Sequence, residues 1–219
     1  MKLTLYYFSI PFWRAEVTRI SLFINNIDFV DYRIKDEDYK KFKNNGELPN
    51  KKIAPFRQLP VLEVDGQIIA QTNAIARFCG KISGMYPKNN QINAAKIDQI
   101  LDAAQDINYA VSITNKEKDP DLKKQAREKL SNVHLPRWFK FLETILIENK
   151  ESEWFVGKEM TIADLAIWRL LGWLSSGLLD HVPANILDDF KEITKMRKSV
   201  SNNPKIKEWM IIKYGKELN

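Results

Sequence analysis

Gln58-Leu59-Pro60-Val61-Leu62-Glu63-Val64-Asp65-Gly66-Gln67-Ile68-Ile69-Ala70-Gln71-Thr72 is the stretch around which the rest of this sequence falls into order. Two short apolar runs flank Asp65-Gly66, a dipeptide suited to the positive φ angles of a tight type I′ hairpin turn. Pro60 stands in front of the hairpin, in an X-Pro bond where a cis peptide is energetically accessible. Behind it, Gln71-Thr72 opens an apolar-periodic run (Ile75, Phe78 and Cys79) that reads as a helix. Thr72 suits the N-cap, where its hydroxyl satisfies a free backbone N–H. A proline-gated hairpin thus delivers a helix N-terminus close to a strand edge, an arrangement suited to a small extended peptide with a carboxylate at one end.

Upstream, Leu3 to Phe8 is β-rich and ends at the turn Ser9-Ile10-Pro11. From Arg14 to Asn25 the residues Val17, Ile20, Phe23 and Ile24 recur at helical spacing. Ile27 to Ile34 reads as a second strand, and Asp36 to Asn45 as a short polar helix or a turn ending at Gly46. The order βαβ, α, ββα is the thioredoxin-like α/β pattern with a mixed four-stranded sheet. Gly80 to Asn90 is the clearest break in composition. Beyond it the pattern is all-α: a stripe through Ile97, Ile100, Leu101, Ala104, Ile107 and Val111, then a helix from about Leu122 to Ile147 with a kink expected at Pro136. Thr161-Ile-Ala-Asp164 has the spacing of an N-cap pair, and two more amphipathic helices are expected near Ile186–Val200 and Pro204–Ile212. The expected organisation is an α/β domain over residues 1–82, a linker over 83–90 and an all-α helical domain over 91–219.

The bulk numbers exclude several classes. A chain of 219 residues that is 44% hydrophobic and 28% charged supports a sizeable core in one large domain or two small ones. No apolar run approaches the ~20 residues of a membrane span, and charge and turn residues arrive too early for a secretory signal. Membrane partners are therefore not expected. The single cysteine, Cys79, cannot form an internal disulfide, in keeping with a cytoplasmic location. A formal charge of +6 raises the question of nucleic acid. The lysines, however, are interleaved with acids as on solvated helix faces, and no basic recognition module stands out, so nucleic acid is not expected either. Such a surface still draws in anionic small molecules. His134 and His181 lack metal-ligand or triad spacing, so no metal site is expected.

Leu59-Pro60, the Asp-Gly hairpin, Gln71-Thr72 and the two-part order of the whole chain resemble the cytosolic glutathione transferases. Tyr7-Phe8 followed by Arg14-Ala15-Glu16 is most similar to the tyrosine type, the sigma class especially. The Thr161-x-x-Asp164 pair sits where that family begins a buried C-terminal helix, and is read as serving folding. The resemblance implies glutathione as co-substrate, no tightly bound cofactor, detoxification chemistry and a homodimer.

It also implies roles, residue by residue. A thiol transferase must make a thiolate near neutral pH from a group whose free pKa is ~8.5, and a hydroxyl donating to sulfur favours the charged form. Tyr7 matches the family's thiolate-stabilising tyrosine. Ser9 is its rival, because Ser-x-Pro resembles the serine-type classes. Lys43 and Tyr39, one helical turn apart, match the cation and aromatic donor for the glycine end of glutathione. Leu59 would pair main chain to main chain beside Pro60, Gln71 and Thr72 would hold the γ-glutamyl end, and Arg14 would add charge. Asp98, Asp102 and Asp106 recur every four residues, and such like charges call for a cation on a partner surface. In sigma-like members the acid matching Asp106 reaches across the dimer to the ligand's ammonium group. Phe56 matches an aromatic key inserted into the neighbouring subunit. Phe8, Ile10, Phe12 and Trp13 would line the pocket for a small apolar electrophile. The Ser9-to-Trp13 loop departs from related sequences by one residue and leaves that electrophile open. The alternatives are a glutathione-dependent isomerase acting on a prostaglandin-like lipid and a non-catalytic ligand carrier or structural member of the same fold.

Overall fold

The computed structural model describes residues 1–215. The first half runs β1 (Leu3–Tyr7), α1 (Trp13–Ile24), β2 (Val30–Arg33), α2 (Asp36–Asn45), β3 (Val61–Val64), β4 (Gln67–Ala70) and α3 (Thr72–Ser83). The sheet has the order β2-β1-β3-β4, with β1 parallel to β2 and antiparallel to β3. The hairpin turn forms as its dipeptide dictates, with φ of 47° at Asp65 and 87° at Gly66.

All five residues of β1 are buried, since helices cover one face of the sheet and α2 with the following loop covers the other. Alternation then sorts the two tyrosines. Tyr7 packs with Leu3, Leu5, Leu62, Ile75 and Cys79, under α1 and α3. Tyr6 packs on the other side with Phe42, Leu48 and Val61. β2 is shorter than the expected Ile27–Ile34, because Ile27 donates back to Leu22 to close α1 and Phe29 turns its ring toward Trp209.

The second half is helical: α4 (Gln91–Asn115), α5 (Pro120–Lys129), α6 (Leu135–Glu148), α7 (Ile162–Leu174), α8 (Lys191–Asn202) and α9 (Pro204–Tyr214). A π-helical turn over Leu130–His134 joins α5 to α6 just ahead of Pro136, and this turn stands where the kink was expected. α8 begins at Lys191, five residues later than the periodicity indicates. Residues 182–190 form successive tight turns instead. The Glu143 carboxylate on α6 then accepts from the backbone N–H groups of Glu192 and Ile193, so the helix start is fixed by a tertiary cap.

α7 is buried along almost its whole length and forms the axis of this half. Its start is a capping box: Thr161 Oγ1 accepts from the Ala163 N–H, while Asp164 accepts from the Thr161 and Phe155 N–H groups. The two halves meet closely. Gly80 lies inside α3, not in a connection, and glycine suits the close approach there, since a Cβ would come within 2.9 Å of Tyr86 and 3.0 Å of Ile162. Trp13 of α1 is fully buried against the helical core. Among the described residues no helix is long and apolar enough to cross a membrane.

Candidate active site

A cleft of about 590 Å³ opens where the end of β1, α2, the loop before β3 and the start of α3 converge, with α4 across from them. Its walls are Tyr7, Phe8, Phe12 and Arg14 from the first strand and helix, and Tyr39, Phe42 and Lys43 from α2. Arg57, Gln58, Leu59 and Pro60 come from the loop, Gln71 and Thr72 from the start of α3, and Gln105 from α4. Ten residues expected from sequence to touch glutathione or its thiol, or to line the second pocket, thus share one space: Tyr7, Phe8, Phe12, Arg14, Tyr39, Lys43, Leu59, Pro60, Gln71 and Thr72.

The loop wall has unusual backbone geometry. The Leu59-Pro60 peptide is cis, and Leu59 lies beyond both ladders of β3, whose pairing begins at Val61. Its main-chain groups therefore border the cleft without a strand partner. Gln71 has a φ of 75° and itself occupies the N-cap position of α3, with no side-chain cap. Thr72 is consequently the first helical residue and not the cap expected from sequence. Its Oγ1 is buried without a hydrogen-bond partner among the described residues. An unsatisfied buried hydroxyl beside unpaired helix N–H groups, in the wall of a cleft, is suited to receiving a carboxylate.

Tyr7 is almost fully buried, and its hydroxyl makes no hydrogen bond within the described residues. Burial pushes its pKa up to about 12, opposed by the positive charges of Arg14 and Arg19. At neutral pH it is therefore a protonated donor that retains a free O–H for an anion in the cleft. Arg14 is desolvated, which lowers its pKa, and its Nη1 donates to Gln105 Oε1 at 3.2 Å. On α2, Tyr39 meets Phe8 edge-on with ring centroids 5.1 Å apart, and the exposed Lys43 presents its charge on the same face.

Behind the wall, Arg19 holds the loop that follows Tyr7. Its Nη2 donates to the Phe8 carbonyl at 3.0 Å and its Nη1 to the Ile10 carbonyl at 3.2 Å. Burial opposes its charge, but Glu16 and Asp31, each 2.8 Å away, outweigh burial and raise its pKa. Glu16 is satisfied in turn by Trp209 Nε1 at 2.9 Å and the Tyr214 hydroxyl at 2.6 Å, both on α9. Arg169 of α7 donates from Nε to the Pro11 carbonyl at 2.8 Å. The C-terminal helices thus fix a loop in the N-terminal half.

That loop corrects three expectations. Trp13 points into the core and donates to Asn108 Oδ1 at 3.2 Å, so it is not a pocket residue. Ile10 is 46% exposed and lies outside the cleft. Ser9, the rival to Tyr7, is exposed and also outside the cleft lining, where its Oγ accepts from Arg33 Nη1 at 3.0 Å. The acidic row is corrected in part as well. Arg77 of the same chain lies 2.6 Å from Asp98 and 3.6 Å from Asp102, so these two need no partner cation. Asp106 is exposed outside the cleft, and Phe56 is 59% exposed on the loop before β3. Cys79 is buried, with its thiol pushed up to about 12 by desolvation, and is inert core.

Phe42, Arg57, Gln58 and Gln105 also line the cleft, and the sequence alone gives them no role. Phe42 and Lys43 are neighbours on α2, and Gln58 stands directly before Leu59-Pro60. Gln105, adjacent to Asp106, carries no pattern of its own and is identified only by the packing of α4. Among the described residues no group of acids, histidines and cysteines is arranged to hold a metal.

Comparison with known proteins covers nearly the whole chain. The family model for the glutathione S-transferase N-terminal domain matches residues 3–80, and that for the C-terminal domain matches residues 105–211. A glutathione S-transferase of Plasmodium yoelii yoelii is 31% identical over 90% of this chain and 88% of its own length. A hematopoietic prostaglandin D synthase of Gallus gallus is 32% identical over 90% of this chain and 89% of its own. Among solved structures, prostaglandin synthase D of Nilaparvata lugens superposes with a TM-score of 0.81 at 27% identity, covering 96% of this chain and 97% of that one.

Proposed function

This chain belongs to the glutathione S-transferase family, and from that premise we propose that it uses Tyr7 to hold glutathione as a thiolate for attack on a small apolar electrophile. The observation that carries this reading is the Tyr7 hydroxyl, protonated and without a partner among the described residues, in a cleft that also contains the unsatisfied Thr72 Oγ1. Glutathione would lie extended along the cleft. Its γ-glutamyl carboxylate would meet Gln71, Thr72 and the α3 N-terminus, its cysteine backbone would pair with Leu59, and its glycine carboxylate would reach Lys43 and Tyr39. The thiol proton leaves to solvent, and the Tyr7 O–H and the Arg14 charge favour the sulfur anion that remains. The thiolate then forms a carbon–sulfur bond with the electrophile, which rests against Phe8 and Phe12 and loses its leaving group to solvent as the carbon–halogen bond of an aryl halide breaks.

The remaining features belong to the same proposal. The tyrosine-type motif supports a sigma-like member. The exposed Phe56 and the exposed Asp106, which pairs with no cation among the described residues, support a homodimer in which each protomer completes its partner's site. The two functional parts are residues 1–82 and 91–219, joined by 83–90, and the site of action is the cytoplasm. A glutathione-dependent isomerase is the second reading, favoured by the likeness to prostaglandin D synthases. Purified protein tests both readings. Conjugation of a model aryl halide consumes glutathione, whereas isomerisation of an endoperoxide lipid regenerates it. Glutathione binding with neither turnover would overturn the enzymatic reading in favour of ligand carriage.

A further inference from the structure

We propose that Gln105 of α4 is a positioning residue for the chemistry at sulfur: it holds Arg14 in the cleft through a neutral acceptor, and so leaves the guanidinium charge to the glutathione thiolate. This rests on the transferase reading above and adds to it a residue that no sequence pattern marks. Gln105 and Arg14 both line the cleft, and Arg14 Nη1 donates to Gln105 Oε1 at 3.2 Å. Within the described residues that is the one hydrogen bond of the Arg14 side chain, and the side chain forms no ion pair there. Its guanidinium otherwise lies over the Trp13 ring, 5.5 Å from the centroid.

Neighbouring arginines are held by acids. Arg19, further along α1, lies 2.8 Å from both Glu16 and Asp31, and Arg77 of α3 faces Asp98 and Asp102. Arg14 is fixed by an amide instead, so its charge is not cancelled by the group that orients it. The contrast is sharp because α4 is rich in acids. Asp98, Asp102 and Asp106 recur every four residues, yet none of them lines the cleft. Successive residues stand about 100° apart around a helix, so Gln105 faces a different way from Asp106. With Asn108, one turn on, it presents neutral amides to α1: Asn108 Oδ1 accepts from Trp13 as Gln105 Oε1 accepts from Arg14.

The rest of the cleft keeps the same sign. Among the described residues its lining holds three cations, Arg14, Lys43 and Arg57, and no carboxylate. The titratable groups around Arg14 are Tyr7 on β1, Tyr39 and Lys43 on α2 and Arg57 on the loop, with Arg19 and Glu16 behind them on α1. Arg14 shares the cleft with the Tyr7 hydroxyl, and its charge acts on that hydroxyl. A sulfur anion accepting from Tyr7 would lie in the same field. A carboxylate at position 105 would stand within hydrogen-bond reach of the guanidinium and cancel much of that field, the more so in a partly desolvated site.

The experiment titrates the ultraviolet absorbance of bound glutathione thiolate against pH in the native protein, Gln105→Glu and Gln105→Met. Gln105→Glu keeps the side-chain shape and the acceptor, and it breaks no donor bond, because Gln105 Nε2 donates to no described residue. Arg14 stays in place while its charge is compensated. The thiol pKa is expected to rise by about one unit, and kcat/KM with an aryl halide, below both pKa values, to fall about tenfold. Gln105→Met frees Arg14 without adding a charge, and the thiol pKa should rise by less than half as much. S-methylglutathione has no ionisable thiol, so Gln105→Glu should bind it within about twofold of the native affinity, whereas a distorted cleft would not. If the thiol pKa in Gln105→Glu does not exceed those of both other proteins, or if S-methylglutathione binding falls in step with it, the inference is overturned while the transferase reading stands. If Tyr7→Phe leaves the thiol pKa unchanged and Gln105→Glu raises it, the Tyr7 assignment fails and the role of Gln105 stands.

Discussion

Replacing Tyr7 by phenylalanine removes one oxygen and leaves the ring, its packing and its burial in place. In the folded protein that oxygen serves no other described residue, so the melting temperature should change little. In the complex with glutathione it would donate to a charged sulfur. A hydrogen bond to a charged group contributes about 1.5–3 kcal/mol, which corresponds to roughly 1–2 units in the pKa of the acceptor. The Tyr7→Phe protein should therefore bind glutathione with a thiol pKa about 1–2 units higher. Below both pKa values the thiolate fraction, and with it kcat/KM, should fall roughly 10- to 100-fold. Tyr7 itself titrates only at about 12, so it remains a donor throughout any practical assay range. The rate deficit should shrink as pH rises past the native thiol pKa toward that of the variant. Ultraviolet absorbance of bound thiolate, titrated against pH in both proteins, reads the shift directly. An unchanged thiol pKa in the variant would refute the role assigned to the hydroxyl, whatever the rate did.

Lys43→Ala should raise KM for glutathione about two- to fivefold with kcat preserved, as expected for an exposed ionic contact. Added salt should weaken the native protein more than the variant. Phe56→Ser should shift the protein from dimer to monomer in analytical ultracentrifugation, and a native monomer would sink the proposed key. Asp164→Ala strips the acceptor from the N–H groups of Phe155 and Thr161. Its cost is roughly 3 kcal/mol, or about 6–12 °C in melting temperature for a chain of this size. The same carboxyl predicts a pH effect. Burial pushes its pKa up to about 6, against ~3.9 unfolded. The folded state thus holds this proton more tightly, and the contribution is complete below about pH 4 and lost as pH rises to about 6. Asp164→Asn should remove that segment from the stability profile measured by urea denaturation.

What the sequence made legible is whatever neighbours along the chain decide. Asp65-Gly66 carries the turn geometry within two residues, and alternation along β1 separates Tyr6 from Tyr7 whatever packs above them. The residues placed wrongly answer to distant groups. Thr72 loses the N-cap because Gln71 takes a positive φ, a local detail that its residue type does not announce. The start of α8 is set by Glu143, 49 residues away from Glu192. Asp98 and Asp102 look like an unpaired row until Arg77 is brought across from α3.

The Phe8-to-Trp13 segment is the sharpest case, because it supplies the pocket wall and no local pattern sorts it. Phe8 and Phe12 enter the cleft while Ile10 and Trp13 do not. That division follows from carbonyl groups being held in place, by Arg19 for Phe8 and Ile10 and by Arg169, 158 residues away, for Pro11. Arg19 is held by Glu16, and Glu16 by Trp209 and Tyr214. Hydrophobicity along the segment would admit all four side chains to the pocket. The buried charges of α1 and α7, with the neutral donors of α9, decide which two are admitted, and so the shape offered to a second substrate is a property of the whole chain and not of its N-terminal half alone.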